Sequence, residues 1–154
     1  MQHTLLSRHV GGLLFSPDFE KIVLVSKAMP GFLSHKALPV IGGVAAHQSP
    51  KAAISSAVEA ETGIVTPARA WAPCGSVTYG PQWILQCYYA ACELPEAYSS
   101  PQGTWVKVFD LEKLLISAVR EPAEFAPDIL LFIGQAVQHR QYERPSRVDY
   151  STKA

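Results

Sequence analysis

Residues 42–64 read GGVAAHQSPKAAISSAVEAETGI, and the organisation of the whole chain follows from this stretch. Gly42-Gly43 lets the backbone turn without a Cβ penalty. Ser49 is a good N-cap, and Pro50 sits at the first helical position, where a missing N–H costs nothing. Residues 51–62 contain no glycine or proline, and Ala53, Ile54, Ala57, Val58 and Glu61 recur at helical spacing. Gly63 suits the left-handed residue that closes a helix. The stretch predicts the end of a strand, a tight turn and a capped helix over 51–62.

Strands flank this helix on both sides. Residues 9–15 (HVGGLLF) and 21–26 (KIVLVS) are apolar and β-branched, and Ser16-Pro17-Asp18 between them is turn chemistry, so a β-hairpin opens the domain. Residues 37–44 (ALPVIGGV) form a short strand. After the helix, 68–77 and 83–92 (WILQCYYAAC) read as strands around Tyr79-Gly80-Pro81. Residues 104–109 (TWVKVF) alternate as a further strand. Asp110 is placed to cap a short helix over 111–118, and Asp128 a longer one over 128–139. Residues 141–154 are polar, without a hydrophobic pattern, and read as a tail. The order predicts one α+β domain over 1–140, with a mixed sheet between helices.

Composition narrows the function classes. Of 154 residues, 13 are Lys or Arg and 13 are Asp or Glu, so the formal net charge is zero. That balance argues against a long nucleic acid bound through a basic surface, though not against one nucleotide in a pocket. The hydrophobic share of 48% is too high for disorder. No stretch approaches the roughly 20 apolar residues of a membrane helix, and residues 1–9 do not resemble a signal peptide. Cys74, Cys87 and Cys92 lack metal-like spacing and read as reduced thiols in strands, so a cytoplasmic location is expected. The low charge also suits a covered surface, with a homodimer as one form.

The segment 42–64 resembles the Nudix box, usually written GX5EX7REUXEEXGU with U aliphatic. Gly42, Val58, Glu61, Gly63 and Ile64 fall on matching positions. Gln48, Ala57 and Ala60 stand where three of the four box glutamates belong, and Ser56 stands at the arginine. Pro39 before Gly42-Gly43, Trp105-Val106 and Asp110-Leu111 also fit the resemblance, which covers about residues 5–140. It implies a Nudix-like α/β/α sandwich and, in an active member, Mg²⁺ or Mn²⁺ helping water to cleave a diphosphate linkage.

Positions 57, 60 and 61 are spaced i, i+3 and i+4 and share a helix face. In the family this face offers carboxylates to hard cations; here it offers Ala57, Ala60 and Glu61. Glu59 lies about 200° around the helix from Ala57 and Glu61 and cannot join them. With the Gly42 carbonyl, Glu61 makes a poor Mg²⁺ site, weak or absent. Glu61 and, from the loop before the last helix, Glu124 are the candidate catalytic acids. Gly42, Gly43, His47, Gln48, Arg69 and Tyr88 are the candidate ligand contacts, the last as a stacking surface among Phe32, Trp71, Tyr79, Trp83, Tyr89 and Trp105. Tyr88 and Tyr89 are adjacent in a strand and face opposite ways.

Three functions stay open. The chain binds a nucleotide-like or diphosphate-containing small molecule, or a partner, with little or no hydrolysis and no cofactor. Or it is a pyrophosphohydrolase with a rearranged Mg²⁺ or Mn²⁺ site built on Glu61 and Glu124. Or it is an assembly protein that keeps the fold as a scaffold.

Overall fold

A computed structural model describes residues 7–28, 35–79, 83–96, 104–126 and 128–147. Phe32, the turn at 80–82, most of the 95–103 loop and positions 148–154 lie outside the described residues. Strands β1 (Ser7–Phe15) and β2 (Lys21–Ser26) form the expected hairpin. Its turn is tied by the Ser16 hydroxyl, which donates to Asp18 Oδ1 at 2.7 Å, and by the Glu20 N–H, which donates to the same oxygen at 3.0 Å. The remaining strands are β3 (Val40–Gly43), β4 (Ala72–Tyr79), β5 (Trp83–Ala91) and β6 (Trp105–Asp110). They form one mixed sheet of order β4-β5-β1-β2-β6, with β3 pairing β1. Only the β1–β5 pair is parallel among the strand pairs described.

Helices cover both faces. Helix α1 (Pro50–Thr62) begins as its sequence predicts: the Ala52 N–H donates to Ser49 Oγ at 3.1 Å. It ends at Gly63, with φ 79° and its N–H bonded to the Glu59 carbonyl. A Ser49→Ala chain is expected to lose about 1 kcal/mol of stability, read from the urea midpoint. Ala53, Ile54 and Val58 are buried against the sheet. Gly12 lies under Ile54, where a Cβ would come within 2.7 Å of the Ile54 side chain, so the α1 face of β1 is the one carrying Gly12. The register sets Gly12 beside Tyr88. The opposite face meets α3 (Ile129–Arg147): a Cβ at Gly75 would run into Gln135 and Phe132. Tyr89 packs edge-on against His139 on that side. The two tyrosines thus face opposite ways. Helix α2 (Leu111–Arg120) leans on β6 and buries Leu114 and Ala118. The result is the expected α/β/α sandwich.

Several boundaries differ from expectation. The 37–44 strand starts only after Pro39, and Ala37 and Leu38 make isolated bridges to Phe125 and Val25. Residues 68–70 form a 3-10 turn ahead of β4. Asp110 makes no side-chain capping bond; its carboxylate pairs with Lys113 at 3.4 Å. Asp128 has φ 66°, outside the extended region of a side-chain N-cap, and α3 starts on its carbonyl, which accepts from the Phe132 N–H at 3.0 Å. That helix runs on to Arg147, into the segment expected to be a tail. No helix among the described residues is long and apolar enough to cross a membrane.

Candidate functional site

The end of β3 and the C-terminal half of α1 bound a cleft of about 350 Å³, lined by Lys27, Gly42, Gly43, Gln48, Ser56, Ala57, Ala60 and Glu61. Close approach of the two elements needs small residues on both sides. A Cβ on Gly42 would stand 2.7 Å from the Ala57 Cβ. Gly42, Gly43, Gln48 and Glu61 are therefore brought together as the sequence predicts.

Glu61 is 3% exposed and fully engaged. Its Oε1 is paired with the Lys27 ammonium, and its Oε2 accepts a hydrogen bond from the Thr104 hydroxyl. Lys27 Nζ also donates to the Ile41 carbonyl at 3.4 Å. The sheet register explains the cluster. Ser26 pairs with Trp105 across β2 and β6, so Lys27 and Thr104 emerge side by side at that end of the sheet. The last turn of α1 lowers Glu61 between them. Neither Lys27 nor Thr104 was among the candidate residues. The available signal was electrostatic: a glutamate on the apolar face of a helix needs a cation, and Lys27 directly follows the second strand of the opening hairpin.

The other candidates are dispersed. Gln48 lines the cleft, but its Oε1 accepts from the Ala45 N–H at 3.1 Å, so it ties its own loop. His47 is exposed at φ 66° in that loop and does not line the cleft. Glu124 sits on an exposed 3-10 turn (Pro122–Glu124), outside the cleft lining. Tyr88 is buried on the α1 face, 8% exposed, and lines no part of this cleft; burial pushes its hydroxyl pKa up. Arg69 lies at a separate cleft. Trp71 is a core residue whose Nε1–H donates to Thr66 Oγ1 at 3.0 Å. Trp105 is 55% exposed, with the Lys107 ammonium 5.6 Å from its ring. Of the cysteines, Cys87 is wholly buried, and burial first, then the neighbouring Cys74, holds its thiol protonated well above the usual range. Cys74 and Cys92 are half-buried.

This donor set does not fit a hard divalent cation. Such ions take six or more oxygen ligands and bind best where carboxylates bring uncompensated charge. The one carboxylate in the cleft is already neutralised by an ammonium. Ala57 and Ala60 offer no donor, and the Gln48 oxygen is engaged by backbone. Among the described residues no group of three or more His, Cys, Asp or Glu converges on a point.

The chain shares its architecture with solved structures. No family model matches it, and no curated protein matches it by sequence. Solved structures do match. The NUDIX domain of Shewanella oneidensis NrtR, crystallised with ADP ribose, superposes with a TM-score of 0.69 at 19% identity, over 90% of each chain. A NUDIX hydrolase from Nitrosomonas europaea gives 0.67 at 15% identity, over 87% of this chain and 90% of that one. A MutT/nudix family protein from Enterococcus faecalis gives 0.61 at 15% identity; 71% of this chain is covered, which spans 46% of that protein.

Proposed function

We propose that this chain, which has the Nudix fold, binds a nucleotide-like or diphosphate-containing small molecule without efficient metal-dependent hydrolysis. The observation that carries this reading is the Lys27–Glu61–Thr104 cluster. A box carboxylate serves hydrolysis by holding a cation that activates water and neutralises phosphate charge. Here the carboxylate is committed to a cation supplied by the protein itself. The backbone of Gly42 and Gly43 borders the cleft, and a phosphate could approach it closely. The ADP ribose bound by the Shewanella NUDIX domain supports a ligand of that chemical class.

In this cleft the protein's own residues would bind and orient rather than cleave. Among the described residues that line the cleft no carboxylate or imidazole stands free, since Glu61 is occupied and Glu124 lies outside the lining. The test pairs two measurements on the full chain. Calorimetry with ADP ribose in chelator is expected to give saturable binding. A hydrolysis screen of nucleoside diphosphate derivatives with Mg²⁺ and Mn²⁺ is expected to give no efficient turnover. Metal-dependent turnover abolished by Glu61→Gln would overturn the proposal in favour of a rearranged hydrolase.

A further inference from the structure

A second cleft, of about 600 Å³, opens at the edge of the sheet, beside the N-terminal turn of α1. It shares no lining residue with the cleft around Glu61. Lys51, Arg69, His139 and Arg140 line it, and no aspartate or glutamate does. In a chain with zero net charge this is a local concentration of one sign. Among the described residues neither Lys51 nor Arg69 is paired with a carboxylate.

Two of these side chains are held by their neighbours. Arg140 lies 4.1 Å over the Phe19 ring and donates to the carbonyls of Pro17 at 3.2 Å and Asp18 at 3.3 Å. The neighbouring Asp18 carboxylate is turned into its own hairpin by Ser16 and Glu20. His139 is fixed through Nδ1 by the Tyr89 hydroxyl. Lys51 stands in the first turn of α1, which carries no acid, so the positive end of the helix adds to its charge. The floor is aromatic: Phe19, Trp71 and Tyr89 are each nearly buried. Charges grouped in a concave surface focus a positive potential, and the volume suits a small ligand.

We propose that this edge cleft binds a small phosphate-bearing anion, with Lys51 and Arg69 as its mobile charge partners and Arg140 as its fixed one. The inference does not depend on the ligand assigned to the other cleft.

The experiment is a titration of the full chain, in chelator, with inorganic pyrophosphate and in parallel with ADP, followed by backbone amide NMR. Shifts are expected at Ala70, Trp71, Ala72, Ala90 and Ala91. Lys51→Ala with Arg69→Ala is expected to weaken binding at least tenfold. Lys113→Ala, which removes one exposed charge on α2 outside the cleft lining, is expected to change it less than twofold. Tighter binding of ADP than pyrophosphate would make the occupant a nucleotide, and comparable binding would make it a free phosphate compound; both support the site. Shifts confined to Gly42 and Gly43, no shifts, or an unchanged affinity in the Lys51–Arg69 double variant would overturn it. Because the two clefts share no residue, that failure would leave ligand binding beside Glu61 untouched.

Discussion

A Lys27→Ala chain is expected to unfold about 3 kcal/mol more easily than the native one. Removing one partner of a buried ion pair costs about 3–5 kcal/mol, because the other charge stays buried without compensation. The Glu61 side chain is 4% exposed and that of Lys27 24%, so water can reach the vacated ammonium position and the lower end of the range applies. The Thr104 hydroxyl remains as a single neutral donor, too little to balance a carboxylate. In a domain of this length the loss corresponds to a fall in Tm of about 6–12 °C. Lys27→Met combined with Glu61→Gln is expected to recover most of it, since an uncharged pair of similar volume leaves no orphaned charge. Urea denaturation of the native chain, Lys27→Met, Glu61→Gln and the double variant closes the cycle. A loss under about 1 kcal/mol in Lys27→Ala would mean that the pair behaves as a solvated surface contact.

The second large effect is a gain. Lys27→Ala, Ala57→Glu and Ala60→Glu together are expected to create a Mn²⁺ site that the native chain lacks. The two new carboxylates join Glu61 on one helix face, at i, i+3 and i+4. Their positions line the same cleft, and the backbone of Gly42 lies against Ala57. Deleting Lys27 removes the competing cation. Mn²⁺ at a hundredfold excess over Kd is expected to stabilise the triple variant by about 2.7 kcal/mol, and the native chain not at all. Ala57→Glu with Ala60→Glu alone is expected to bind at least tenfold more weakly than the triple variant, because Lys27 still neutralises part of the site. A triple variant whose Tm ignores Mn²⁺ would show that this face does not look into the cleft.

The fold was legible where its determinants are local. Ser49, Pro50 and Gly63 mark the ends of α1 by backbone chemistry that needs no knowledge of the rest of the chain, and the structure uses all three. Alternation in the strands fixed the opposite facing of Tyr88 and Tyr89. Legibility failed where distant packing decides. The α3 helix continues past His139 although its sequence turns polar, and Asp128 enters it in a left-handed conformation that no capping rule anticipates. In the candidate site, Gly42, Gly43, Gln48 and Glu61 converge because the strand-turn-helix unit is contiguous. Lys27 and Thr104 reach Glu61 from 34 and 43 residues away, through strand pairing that motif spacing does not encode. Arg69 is a candidate contact close to the box in sequence, yet the 3-10 turn that carries it lines a different cleft.

On the proposed reading, the Lys27 ammonium takes the place of the box cation. Calorimetric titration of the native chain with Mn²⁺, alongside Glu61→Gln, tests it most directly. No saturable heat at millimolar metal is expected in either protein. Saturable binding to the native chain that disappears in Glu61→Gln would contradict it, because Glu61 would then be exchanging Lys27 for the metal.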